Sequence, residues 1–224
     1  MSDKPQRRSR NVQIEAAVVA IDSNHDPATT AAFNYRQEEE NVYPYLEEKG
    51  FVVERCQGKL ARRIYVSSAA RQPNVEYLTG VGHGSYDTFT GDYNNPIFTV
   101  GNYSPEECKD KIIHFLSCQT AAILGVDFVK HDCRAFFGYD IDFVFITKNA
   151  DVFFECDSEI DRAFAEGLTA EEVYDRVYTL YTNRAEESFE QGDLNTFKFL
   201  EVDRDHLCAP SVDKRWGKPE AKLE

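Results

Sequence analysis

His83 and Cys118, about thirty-five positions apart, are the two side chains best placed by their surroundings to do chemistry. Val75 to Ser85 reads VEYLTGVGHGS, and Ile112 to Ala121 reads IIHFLSCQTA. Each is an apolar, strand-like run that ends in a potentially reactive residue followed by small or hydroxyl residues. A parallel sheet would present a base and a thiol in this way at neighbouring strand ends, where the crevice of an open α/β sheet collects its sites. An imidazole beside a thiol makes a nucleophile, because the thiol alone, with an ordinary pKa near 8.5, is only partly ionised at neutral pH. Taken singly, His83 reads as a loop histidine and Cys118 as a small buried hydrophobe.

The elements that must position them follow from an alternation of strand-like and helix-like segments. Strands are expected at Glu15 to Ile21, Phe51 to Cys56, Val75 to Val81, Ile112 to Ser117 and Arg134 to Tyr139, all short and apolar. Helices are expected at Thr29 to Lys49, closed by Gly50, at Lys59 to Arg71, and at Thr120 to His131. His83 to Lys111, rich in Gly, Asn, Asp and Tyr, reads as an active-site loop with a short helix starting at Ser104-Pro105-Glu106-Glu107. The order implies an α/β fold: a three-layer sandwich whose mostly parallel central sheet is flanked by helices.

Beyond Tyr139 the pattern changes. Phe143 to Phe154 is apolar and aromatic and fits a strand, a hairpin or a docking segment. Ser158 with Asp161 resembles a helix start, and Thr169 with Glu172 has capping-box spacing before a helix to about Gln191, with Val173, Val177, Leu180 and Tyr181 on one face. Phe197 to Val202 reads as a final short strand. A basic tail over residues 1–11, one domain over 12–207 and a polar tail over 208–224 complete the expected organisation.

A net charge of −14 argues against nonspecific nucleic-acid binding, since basic residues concentrate only in the first ten positions. No apolar run is long enough to span a membrane, and MSDKPQRRSRN lacks the features of a signal peptide, so a soluble cytoplasmic protein is expected, with its six cysteines mostly free thiols. There is no C-x-x-C pair and the five histidines are scattered, so neither a metal site nor a cofactor is expected. His114 and Cys118, four apart on one strand, stand more than roughly 10 Å apart along the chain and chelate poorly.

In its two motifs the chain resembles the caspase-like cysteine peptidases, a superfamily that includes caspases, metacaspases, legumains, gingipains, clostripain, separase and bacterial CHAT domains. Gly82-His83-Gly84-Ser85 resembles the His-Gly block after the third strand. Phe115-Leu116-Ser117-Cys118-Gln119-Thr120-Ala121 is similar to the gingipain and CHAT form of the nucleophile block. The resemblance covers roughly residues 15 to 139. It implies a caspase-like fold and a cysteine endopeptidase in which Cys118 attacks, His83 transfers the proton, and the backbone N–H groups of Gly84 and Cys118 form the oxyanion hole. The Gln-Ala-Cys-Arg-Gly block of true caspases is absent, and Ala121 stands where bacterial relatives usually carry Gly, so aspartate specificity is not implied.

In this family the pocket for the residue before the scissile bond comes from loops after several strands. Here those loops offer Asp22, Asp140 and Asp142, which suits a Lys or Arg side chain, although Asp140 and Asp142 also read as ordinary turn residues. Lys4, Arg7, Arg8 and Arg10 are candidate self-cleavage sites. Peptide or protein substrates, and an activating protein partner, are the expected partners. The alternative is a catalytically inactive module that binds proteins through its acidic surface or the helix near Tyr174 to Tyr181. A flavodoxin-like or receiver-like domain shares the alternation but leaves the His and Cys motifs unexplained.

Overall fold

Central strands buried on both faces build the core from both sides of one sheet. The computed structural model describes residues 16–38 and 40–223, so the basic N-terminal segment, with Lys4, Arg7, Arg8, Arg10 and Glu15, lies outside the described residues. Strands β1 (Ala17–Asp22), β2 (Val52–Gln57) and β3 (Val75–Val81) come first. A small antiparallel sheet follows, of β4 (Gly84–Ser85), β5 (Thr88–Thr90) and β6 (Pro96–Thr99). The central sheet resumes with β7 (Ile112–Leu116), β8 (Ala135–Tyr139) and β9 (Leu207–Cys208). Its order is β2-β1-β3-β7-β8-β9, parallel except for β9.

Helices cover both faces. Val18 and Ala20 of β1, with Tyr77, Ile112, Leu116 and Phe137, pack toward α1 (Pro27–Gln37), α2 (Tyr43–Glu48) and α5 (Ala150–Ala165). Helices α6 (Ala170–Glu190) and α7 (Leu194–Asp205) complete this side. Val19 and Ile21, with Leu78, Ile113, Phe115 and Phe136, pack toward α3 (Arg63–Ala70) and α4 (Leu124–Lys130). The period of two along each strand thus feeds two cores, and the three-layer α/β sandwich follows.

Several segments differ from expectation. The first helix breaks into α1 and α2, and α4 begins only at Leu124. The first part of the presumed loop after His83 carries the β4–β6 sheet, with the Phe89 ring stacked on Phe115 at 4.0 Å between centroids. Ser104 to Glu107 forms a single 3-10 turn, closed by a capping box. Ser158 and Asp161 lie inside α5 rather than at a helix start, and Phe143 to Ile146 is irregular chain leading into a 3-10 turn before it. Phe197 to Val202 belongs to α7: its buried residues Thr196, Leu200 and Asp203 recur at helical spacing, and the Asp193 carboxylate caps the start by accepting from the Thr196 amide. The expected polar tail packs onto the sheet. Trp216 is buried and its Nε1–H donates to the Ala121 carbonyl at 2.8 Å, and Ala221 and Leu223 are buried as well.

A buried polar network crosses the core between the sheet and α5. Arg36 donates to Asp161 (3.0 Å), to the Thr79 hydroxyl (2.5 Å) and to the Tyr43 hydroxyl (3.0 Å). His114 of β7 sits between Asp157 (3.1 Å) and Asp161 (3.2 Å) of α5. Burial disfavours the charged ring, but the two carboxylates prevail and push the His114 pKa up to about 9.

Candidate active site

Pairing of β3 with β7 brings the ends of both motifs together. Val81 is opposite Leu116 in the register, so His83 and Cys118 each follow their strand by two residues and emerge side by side at the carboxyl edge of the sheet. Gly84 seals the approach. A Cβ there would sit 2.3 Å from the Cys118 carbonyl oxygen and 2.7 Å from the Thr120 methyl, so only glycine lets the two loops meet. His83 and Cys118 then line one cleft of about 110 Å³, walled by Ala28, Ala32, Val81, Leu116, Phe143, Phe145 and Phe154.

The turn after Cys118 is tight and braced. Gln119 adopts φ +62, a left-handed conformation unusual for a residue with a side chain. Its amide donates to the Ile141 carbonyl at 2.8 Å, and its side chain donates to Asp142 at 2.8 Å. Ser117 and Thr120 hydroxyls bond each other across the turn at 2.8 Å. The chain thereby reverses immediately beyond the strand and leaves the half-buried thiol at the cleft wall.

A residue the sequence reading did not single out orients the imidazole. Asp26 Oδ2 lies 2.7 Å from His83 Nε2. The other oxygen, Oδ1, caps α1 by accepting from the Ala28 and Thr29 amides at 2.9 and 3.0 Å. Partial burial raises the Asp26 carboxyl, but the Thr29 amide, His83 and the Ala28 amide together hold it below the usual carboxylate range. It is therefore an anion at neutral pH, suited to hold the ring and to stabilise its protonated form. Asp26-Pro27 is a helix-start signal in the sequence, but the contact with His83 depends on β1 lying beside β3.

The surroundings of Cys118 favour the neutral thiol. Burial pushes the Cys118 pKa up, the hydrogen bond from the Phe143 amide opposes this, and the Asp142 and Asp203 carboxylates raise it further. The imidazole bonds Asp26 rather than the thiol.

The three expected specificity acids separate. Asp22 is fully buried and cannot meet a substrate: it accepts from the Tyr43 hydroxyl (2.6 Å), Gln57 Nε2 (2.8 Å) and the Val81 amide (3.0 Å). Its place at the end of a central strand, under α1 and α2, is what turns it inward. Asp140 lies 2.9 Å from His206 Nδ1. Only Asp142, exposed and acting on the thiol, stands at the site. All six cysteines are unpaired.

His25 also comes within reach of Asp26, its Nε2 3.4 Å from Oδ2. The histidines, scattered in sequence, are thus in part gathered by the fold. No helix of the described residues is long and apolar enough to cross a membrane. No family model and no curated protein matches the chain.

Proposed function

We propose that this protein is a cysteine endopeptidase of the caspase-like kind, with Cys118 as nucleophile, His83 as base and acid, and Asp26 holding the ring. The observation that supports it most is the shared cleft, with the thiol and a carboxylate-held imidazole at the carboxyl ends of adjacent parallel strands.

Cys118 Sγ attacks the scissile carbonyl carbon as its proton passes to His83, and the imidazolium is steadied by Asp26. The oxyanion of the tetrahedral intermediate is met by the backbone N–H groups of Gly84 and Cys118. Collapse breaks the C–N bond, His83 returns the proton to the leaving amine, and a thioester remains. Water, deprotonated by His83, then releases the acid and restores the thiol. Catalytic hydrogen bonds commonly tighten only with substrate in place, which is how the thiol and the ring come into contact.

An aromatic-walled cleft beside the Asp142 carboxylate suits a Lys or Arg side chain, whose methylene stem packs on the rings while its head pairs with the acid. Neutralising Asp142 also removes one cause of the raised thiol pKa, so a basic substrate would help ionise its own attacker. The net acidity favours such substrates electrostatically. The unpaired thiols fit a reducing, cytoplasmic setting.

The test is cleavage of fluorogenic peptides carrying Arg, Lys, Asp, Asn or Leu before the scissile bond, comparing wild type with Cys118→Ala. Turnover that is strongest after Arg or Lys and vanishes in the variant is the expected result. The raised thiol pKa favours a second reading, an inactive interaction module, and a third, an enzyme awaiting a protein activator. No turnover together with Cys118 alkylation no faster than a free thiol's would sustain the module.

A further inference from the structure

The loop after β1 and the end of β3 bring two imidazoles and one carboxylate to a single point. One ligand atom from each of His25, Asp26 and His83 lies within 4.8 Å of the other two, and Asp26 Oδ2 is 2.7 Å from His83 Nε2 and 3.4 Å from His25 Nε2. A tetrahedral zinc ion with bonds of about 2.0–2.1 Å needs its ligand atoms roughly 3.3–3.5 Å apart, so shifts of about 1 Å complete the geometry. The ligands are also oriented from behind. His25 Nδ1 lies 2.6 Å from the Ser23 hydroxyl, and when Nδ1–H donates to it the Nε2 lone pair is free for a metal. The Asp26 Oδ1 atom is occupied by two helix amides, which leaves Oδ2 as a monodentate donor. The His25 side chain is only 10% exposed, and its ring packs on Tyr93 at 5.4 Å and on His83 at 5.8 Å between centroids.

We propose that His25, Asp26 and His83 bind a divalent transition metal, with Zn²⁺ the preferred ion, and that the metal holds the enzyme inactive by occupying the ring that must accept the thiol proton. Two nitrogen donors and one oxygen favour zinc over magnesium or calcium, which take oxygen ligands. A divalent charge on His83 Nε2 makes the ring too poor a base for Cys118 and takes Asp26 away from it. The inhibitory half of the inference rests on the peptidase reading, whereas metal binding does not.

The two halves are tested apart. Binding is measured on the full chain carrying Cys118→Ala, which removes the accessible thiol, by titrating Co²⁺ and reading its ligand-field spectrum. The expected result is one tetrahedral Co²⁺ per chain with no thiolate charge-transfer band. Adding His25→Ala should weaken binding at least about 100-fold, and Ser23→Ala about 10-fold. No binding, or equal affinity with and without His25, overturns the site. With otherwise native protein, Zn²⁺ should stop peptide cleavage by the wild type and spare His25→Ala, while a chelator restores the wild type. Equal inhibition of both proteins overturns the regulatory role. If the wild type cleaves no peptide, the peptidase reading and with it the inhibitory half fail, while the Co²⁺ titration still decides the site.

Discussion

His83 and Cys118 are legible in the sequence because each ends an apolar run with small residues behind it. Asp26 and His25 are not, because their role depends on two loops being neighbours, which only the pairing of β1 with β3 establishes. Asp26→Asn is the informative change: asparagine still caps α1, so stability should move by less than about 1 kcal/mol. Turnover should nevertheless fall, part of the way toward the roughly 10²- to 10⁴-fold loss expected of His83→Ala. Peptide hydrolysis and thermal unfolding of the same samples check the two halves. Asp142 acts in the opposite sense on the thiol. Its charge raises the Cys118 pKa, so Asp142→Asn lowers it, enlarges the thiolate fraction at pH 7 and should speed iodoacetamide alkylation of Cys118 several-fold. Mass-spectrometric rates for that one thiol measure it. The same variant should lose its preference for basic peptides.

Among the elements, the strands were the easiest to read because a buried strand of a parallel sheet is a short apolar run. α7 was the hardest. Phe197-Lys198-Phe199 alternates as a strand does, and only packing against α6 and the Asp193 cap make the segment helical. α5 misleads for a different reason: Asp161, three residues after Ser158, resembles a first-turn acid, yet it and Asp157 face the sheet to meet Arg36 and His114. The cap at Thr169 reads correctly from sequence, since Glu172 returns its carboxylate to the Thr169 amide at 2.8 Å. Thr169→Ala should cost about 1 kcal/mol, measurable by urea unfolding. Gly84→Ala tests the junction between the two loops. Because its methyl would collide with the Cys118 carbonyl, the nucleophile turn must move, and hydrolysis should be lost even in protein that remains folded by circular dichroism.

For the molecule as a whole, the buried network ties stability to pH. Folding raises the His114 pKa, so its contribution is complete below the ordinary value near 6.5 and is lost as pH rises toward about 9. The free energy of unfolding should therefore decline across that window, by an amount on the order of a few kcal/mol. His114→Gln should flatten the decline while lowering stability at neutral pH, because Asp157 and Asp161 lose a counter-charge. Urea unfolding at a series of pH values decides it, and an unchanged slope in the variant would sink the assignment. The network passes from Arg36 of α1 through β3 and β7 to α5, so it also fixes the helical layer against the strands that carry the site.

The Trp216 bond to Ala121 has a bearing on timing. The residues it joins are 95 positions apart, and Ala121 closes the turn that presents Cys118. On a ribosome adding about 5–20 residues per second, that turn emerges roughly 5–20 s before its tether is made. The turn that carries Cys118 therefore lacks this brace until the helical layer and Trp216 have been synthesised. In the proposed peptidase, the Cys118 turn would gain this brace only once translation has passed Trp216.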